Sequence, residues 1–361
     1  MITIEKTFDA GDGYPLERLG DPERLLFFDI ETTGFSGDYS SLYLIGCTWF
    51  SNGHWKLIQW FADSRGEEPA VLEAFFQFLE SFDTLVHFNG DTFDIPFLKK
   101  RCKALKTGGS FDGVTSVDIY KRIKPYKNHL GLENLKQKSV EAFLGIERDD
   151  VFSGGELIEV YEQYLRSGDE NLLHLLLLHN EDDLKGMPRL LPILSYPDYF
   201  SQPFSLSDFS KTGGEIPRIR LLFEGTDGIT VPVPLRASVP AYAVSVSGRQ
   251  MEIYVRLYEG NLKYFYPNYK DYYYLIYEDQ AIHKSVGEFV DKGARVKATK
   301  ETCYTKKSGA FLPQPSSLWT PDFKNTCKDK TGFFEFCPEC FKDTEKTELY
   351  REEILKAVFG K

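Results

Sequence analysis

Phe27-Phe28-Asp29-Ile30-Glu31-Thr32-Thr33-Gly34 is an apolar run interrupted by two carboxylates spaced two apart. Side chains alternate along an extended chain, so Asp29 and Glu31 point to one face of a strand. Two like charges on a half-buried strand repel each other, and burial penalises both. A cation between them relieves both penalties. Hard oxygen ligands gathered this way suit Mg²⁺ or Mn²⁺ rather than zinc. Two more acids stand in motifs of their own: Asp94 in His87-Phe88-Asn89-Gly90-Asp91-Thr92-Phe93-Asp94-Ile95-Pro96-Phe97-Leu98, and Asp183 in His179-Asn180-Glu181-Asp182-Asp183-Leu184. Each acid alone has an ordinary explanation, since an Asp-x-Glu pair is common, Asp94 could cap a turn and Asp183 could be a surface helix acid. Asp29, Glu31, Asp94 and Asp183 are nonetheless the candidate ligands of a metal site.

Outward from this stretch, Leu25 to Asp29 reads as a short buried strand. Ser41 to Phe50 and His54 to Phe61 flank Ser51-Asn52-Gly53, a strong hairpin signal because both turn positions favour positive φ. Val71, Leu72, Phe75, Phe76 and Leu79 form a helical stripe within Pro69 to Phe82. Thr84 to Phe88 predicts a strand, Thr92 to Leu105 a helix, Val114 to Asp118 a fifth strand, and helices follow to about Leu194. Ser153-Gly154-Gly155-Glu156 has capping-box spacing and predicts a helix start. Asp118 reads as a helix cap, the alternative being an extra acidic group near the site, and Glu181 and Asp182 read as solvent-facing acids. Pattern alone specifies α/β or α+β.

Asp-x-Glu-Thr-Thr-Gly, Asn-Gly-x-x-Phe-Asp-x-Pro-Phe-Leu and His-Asn-x-x-Asp-Leu, in that order, resemble the motifs of the DEDD exonucleases of the ribonuclease H-like superfamily. The nearest resemblance is to an uncharacterised bacterial predicted-exonuclease family related to the proofreading domains of family B DNA polymerases. It covers about Leu25 to Leu194, a little under half the chain. The resemblance implies an α/β fold, a ribonuclease H-like mixed sheet flanked by helices. It implies a metal-dependent 3′→5′ exonuclease that hydrolyses single-stranded or frayed DNA or RNA with two Mg²⁺ or Mn²⁺ ions. In that family pattern Asp29 bridges the ions, Glu31 and Asp183 help hold the one that activates water, and Asp94 holds the second through water. His179 orients or deprotonates the water, while Asn89 and the backbone of Thr32, Thr33 and Gly34 touch the substrate strand. One departure stands out: His179 is four residues before Asp183, where the tyrosine-type subgroup carries Tyr, whereas the histidine-type subgroup has its His five before. On a helix a spacing of four leaves the two side chains about 40° apart on one face. Two rivals stay open: a non-catalytic nucleic-acid-binding or scaffold protein on a retained nuclease fold, and a structure-specific endonuclease.

The 361 residues leave room for two domains. The expected division is 1–195 for the nuclease domain, 196–214 for a linker rich in Ser, Pro, Asp and Gly, and 215–361 for a β-rich (α+β) accessory domain. Strands are expected at Ala241 to Val246, Met251 to Tyr258, Leu262 to Tyr266 and Tyr272 to Tyr277, with a turn at Glu259-Gly260-Asn261. The net charge of −11 is unevenly placed: 20 basic and 33 acidic residues up to Tyr199, then 23 basic and 21 acidic. An acidic catalytic half is tolerable where bound cations offset its carboxylates and local basic patches hold the strand. Candidate patches are Lys99-Lys100-Arg101 with Lys103 and Lys106, Lys121 to Lys127, and Lys292 to Lys307; the plain alternative for each is a solvated face. The tyrosines between Tyr264 and Tyr277 suit either a base-stacking platform or ordinary strand packing. Six scattered cysteines suit a reduced state. Cys337-Pro-Glu-Cys340 has zinc-knuckle spacing, but without a clear second pair it is a weak signal for structural zinc. With no signal-peptide pattern and no long apolar run, a soluble cytoplasmic protein is expected.

Overall fold

Why Asp29 and Glu31 share a face follows from the strand that carries them, β2 (Leu25–Thr32). In the computed structural model, which describes residues 1–11, 13–147 and 154–360, Leu26, Phe28 and Ile30 point into one apolar cluster. That cluster includes Val71, Leu72, Phe75 and Leu79 of α1 (Glu68–Leu79) and Phe97 and Leu98 of α2 (Asp94–Leu105). The alternate residues Asp29 and Glu31 face the other side of the sheet, where α7 (Glu170–Leu190) lies. A strand covered on both faces explains the nearly continuous apolar run around the acids.

The sheet is mixed, in the order β1-β4-β3-β2-β5-β6. Its other strands are β1 (Ile2–Phe8), β3 (Leu42–Ser51), β4 (His54–Phe61), β5 (Thr84–His87) and β6 (Thr115–Asp118). β3 and β4 pair antiparallel around Asn52 and Gly53, both at positive φ as the turn chemistry predicts. β2, β5 and β6 run parallel, so their C-terminal ends gather at one edge. The edge strand β1 was not expected; it pairs antiparallel with β4 from Ile2↔Phe61 to Phe8↔Trp55. The remaining helices of this part are α3 (Ile119–Ile123), α4 (Lys127–Leu130), α5 (Gln137–Leu144), α6 (Gly154–Ser167) and α8 (Ser195–Ser201). Ser153, expected to cap α6, lies outside the described residues.

α7 packs against β3 at Gly46 with almost no clearance. A Cβ there would sit 2.0 Å from Asn180 Oδ1 and 2.4 Å from Leu184 Cδ1. Gly46→Ala is therefore expected to destabilise the fold by about 1–3 kcal/mol through overpacking. Urea denaturation checks this; an unchanged midpoint would mean that α7 is not held so closely.

The chain divides into two compact units, Met1–Ser201 and Gln202–Lys361. The stretch 196–214, read from sequence as a linker, carries most of α8 and the strand β7 (Phe204–Thr212). β7 belongs to a five-stranded antiparallel sheet with β8 (Arg218–Gly225), β9 (Val231–Ser238), β10 (Tyr242–Gly248) and β11 (Gln250–Arg256). A small closed barrel follows, made of β12 (Tyr258–Phe265), β16 (Tyr304–Gln314), β17 (Phe323–Lys324) and β18 (Gly332–Glu335). Between β12 and β16 stand β13 (Tyr272–Leu275), β14 (Gln280–His283), the short α9 (Lys284–Gly287) and β15 (Arg295–Lys297), and α10 (Thr344–Phe359) ends the chain.

One sequence expectation needs correction here, and two open alternatives are narrowed. Glu259-Gly260-Asn261 is no turn: it runs inside β12, opposite Ala310, Gly309 and Ser308. The two glycines face each other across the ladder, and strand pairing overrides the local turn signal. The tyrosines are mostly spent on one another and on cations. Tyr266 stacks on Tyr272 at 4.7 Å, Tyr304 lies under Lys263 and Tyr273 under Arg295. Tyr277, 80% exposed, is an exception. The basic stretch is partly neutralised, because Lys306 pairs with Asp279 and Lys307 with Glu335.

Candidate metal centre

Glu31, His179 and Asp183 offer three ligand atoms that all lie within 4.8 Å of one another. His179 Nε2 is 3.7 Å from Glu31 Oε1 and 3.6 Å from Asp183 Oδ2. One turn of α7 thus places His179 and Asp183 on one face, aimed at the end of β2, as a spacing of four requires. Glu31 and His179 are buried and Asp183 is partly exposed, so the cluster opens to solvent on the Asp183 side.

Asp29 and Asp94 stand outside this trio but within its electrostatic reach. Burial first, then the charges of Asp183, Glu31 and Asp94, push the Asp29 carboxyl well above the usual carboxylate range. Asp94 sits in the first turn of α2, where the helix dipole favours an anion. Burial outweighs that dipole and the backbone amides of Asp94 and Ile30, raising its pKa to about 7, with Asp118 and Asp183 adding to the rise. Asp29 and Asp94, whose proton affinity is raised by burial and by neighbouring acids, form with Glu31 and Asp183 a donor set deficient in positive charge. Hard divalent cations fit it.

A pH prediction follows from these directions. In the native state Asp29 and Asp94 hold protons more tightly than in the unfolded chain, so the metal-free protein gains stability below the usual carboxylate pKa. That gain is lost as pH rises, for Asp94 through about 7. A divalent cation competes for the same oxygens. The rise in Tm on adding Mn²⁺ is therefore expected to be larger at pH 8 than at pH 5; equal rises would show that these carboxylates do not bind it.

Asn180, next to His179 in the third motif, has no role that the motif itself assigns. It is fully buried; its Nδ2 donates to Asp29 Oδ2 at 2.9 Å, and its Oδ1 accepts from Gln59 Nε2 at 2.9 Å. Gln59 Nε2 also donates to the carbonyl of Leu177, so β4, α7 and β2 are tied together at Asp29. Tyr43, buried and stacked on Tyr161, directs its hydroxyl to Glu31 Oε2 at 3.5 Å. On the far side of α7, Gln137 Nε2 donates to the backbone carbonyl of Asp183 at 3.0 Å. The available signal for Asn180 was its place beside His179; Gln59, Tyr43 and Gln137 left none.

Glu181 corrects an expectation: it is buried, not solvent-facing, and pairs with Lys6 of β1 and with Lys185 at 2.5 Å. Asp118 does cap α3, accepting from Lys121 N at 3.2 Å. It also accepts from the amides of Asn89 at 3.0 Å and Asp91 at 3.4 Å, and so fixes the turn before Asp94. Asn89 takes φ of 66° there, and its Oδ1 accepts from Thr92 Oγ1 at 2.7 Å. Beyond Glu31, Thr32 Oγ1 donates to the Gly34 carbonyl at 2.8 Å, and Thr33 Oγ1 accepts from Ser41 N at 2.9 Å. These three residues build the loop beside the acids.

Arg101 is withdrawn from the basic patch around it: it is buried and doubly bonded to Glu68 at 2.6 and 2.7 Å. Cys337 Sγ and Cys340 Sγ lie 2.8 Å apart, and among the described residues no group of three or more metal-ligating side chains includes them. Likewise among the described residues, no helix is long and apolar enough to cross a membrane.

Residues 26–195 match the family model described as the RNase_H superfamily. The family B DNA polymerase from the hyperthermophilic archaeon Pyrobaculum calidifontis is similar in structure, with TM-score 0.39 and 17% identity over 70% of this chain and 35% of its own. Exonuclease I is similar with TM-score 0.31 and 11% identity over 56% of this chain and 55% of its own. The chain thus spans about a third of the one and about half of the other. No curated protein matches it. A ribonuclease H-like mixed sheet flanked by helices, carrying a candidate acidic metal site, supports a nuclease-type function.

Proposed function

We propose, from the ribonuclease H-like fold of residues 26–195, that this chain is a metal-dependent 3′→5′ exonuclease acting on single-stranded or frayed DNA or RNA. The observation that carries the reading is the convergence of Glu31, His179 and Asp183, with the buried acids Asp29 and Asp94 within reach of the Asp183 charge. Two divalent ions in such a site would activate water and stabilise the charge on the leaving oxygen. Asp29, Glu31, Asp94 and Asp183 are the residues that would hold them.

The chain's own part is positioning. Asn180 fixes the Asp29 carboxylate from the protein side, leaving its other oxygen for a ligand. Tyr43 directs its hydroxyl, at longer range, to one oxygen of Glu31. His179, beside Glu31 and Asp183, is placed to accept a proton from the attacking water or to orient it. The loop of Thr32, Thr33 and Gly34 and the strained turn at Asn89 border the acids and would contact the strand near its scissile phosphate.

End-labelled single strands test the polarity. With Mn²⁺, a 5′-labelled oligonucleotide should shorten stepwise while a 3′-labelled one loses its label as a mononucleotide at once. A covalently closed circular strand should survive. Cleavage of the circle would replace this reading with an endonuclease.

A further inference from the structure

Where β11 ends and β12 begins, Arg256 and Tyr258 line a cleft of about 580 Å³. Phe333 of β18, Pro240, Pro313 and Lys330 complete the part that matters here. That volume is in the range of sites for small organic groups, roughly 300–1,000 Å³. The rings of Tyr258 and Phe333 meet with centroids 5.9 Å apart and both pack on the barrel core of Leu262, Phe311 and Phe323. The Pro313 wall is fixed as well, since its carbonyl accepts from Tyr242 Oη at 3.0 Å and Tyr350 Oη at 2.6 Å.

The charges at this cleft are unlike those of the neighbouring surface. Arg256 and Lys330 are exposed, and among the described residues neither is in an ion pair. Asp329, the one acid of the lining, is turned into its own loop. It accepts from the amides of Asn325 and Thr326 at 3.1 and 3.0 Å and from Thr326 Oγ1 at 2.6 Å. Nearby lysines are less available: Lys307 pairs with Glu335 and Lys324 lies 3.7 Å from Asp322. Two uncommitted cations beside a rigid aromatic and proline wall match the two parts of a nucleotide, a flat base and an anionic phosphodiester.

We propose that this cleft is a subsite for a nucleotide of a single strand, with the base against Tyr258 and Phe333 and the phosphate against Arg256 and Lys330. The inference rests on the nuclease reading and gives the second unit a part in holding the strand. Stacking on an aromatic wall tolerates any base, so the subsite has no sequence preference.

The test uses the full-length protein and a fluorescein-labelled twelve-nucleotide oligothymidylate, without divalent ions. R256E combined with K330E should weaken binding about tenfold and flatten the log K against log salt slope by about 1, since fewer counterions are released. Tyr258→Leu, which keeps an apolar side chain on the barrel core, should weaken binding several-fold. R249E combined with K356E, an equal charge change at exposed sites outside the lining, should leave affinity within twofold. Mn²⁺-dependent hydrolysis of a mononucleotide phosphodiester should persist in all of these variants. Wild-type affinity and slope in R256E/K330E, with hydrolysis intact, would overturn the subsite alone, as would equal weakening by the control pair. A wild-type protein that neither binds nor hydrolyses would overturn the nuclease reading, and the subsite with it.

Discussion

Asp29→Asn is expected to lower Mg²⁺- or Mn²⁺-dependent nucleotide release by roughly 10³-fold or more, because a bound metal pair contributes several kcal/mol to the transition state. The substitution keeps the side chain's size, and an asparagine oxygen can still accept from Asn180 Nδ2, which now lies 2.9 Å from Asp29 Oδ2. It removes a carboxylate whose proton affinity is raised by burial and by Asp183, Glu31 and Asp94. Less like-charge repulsion should leave the metal-free protein at least as stable, with a Tm at or above that of the wild type at pH 8. Activity and melting must therefore separate. Activity within tenfold of the wild type, or wild-type hydrolysis that continues in excess EDTA, would sink the metal reading.

His179→Ala should slow hydrolysis by roughly 10²- to 10⁴-fold, the usual contribution of a positioned general base. Its ring lies 3.6 and 3.7 Å from two carboxylates, a distance that suits either a water-handling group or a third metal ligand. The two roles differ in a second readout. If His179 handles water, Mn²⁺ affinity measured by calorimetry stays near that of the wild type while turnover falls. Should affinity fall in step with turnover, His179 is a ligand. Near-normal turnover would make it a packing residue of α7.

The acids were legible because each sits in a short local motif: two carboxylates on one strand face, one at the start of a helix, and one a turn beyond a histidine. The hairpin at Asn52 and Gly53 was legible for the same reason, since its φ angles are local. What supports the site was hidden because it is non-local. Asn180 meets Asp29 across 151 positions of sequence, and Lys6 meets Glu181 across 175. Glu181 looks like a surface acid until β1 takes the sheet edge and brings Lys6 to α7. Arg101 likewise looked like one cation among several, and only the packing of α2 against α1 makes it the partner of Glu68. In the second unit, runs of tyrosine could not tell a stacking platform from ring-on-ring packing, because the deciding contacts come from strands far apart. Tyr304 of β16 meets Phe265 of β12, its ladder partner 39 positions earlier in sequence, at 5.3 Å.

A crystal of the full-length protein soaked with Mn²⁺ and a short oligonucleotide tests the central claim most directly. The account predicts anomalous Mn²⁺ density held by the carboxylates of Asp29, Glu31 and Asp183, with the 3′ end of the strand beside them. Mn²⁺ bound elsewhere with this cluster empty, in crystals whose protein still hydrolyses the strand, would contradict it.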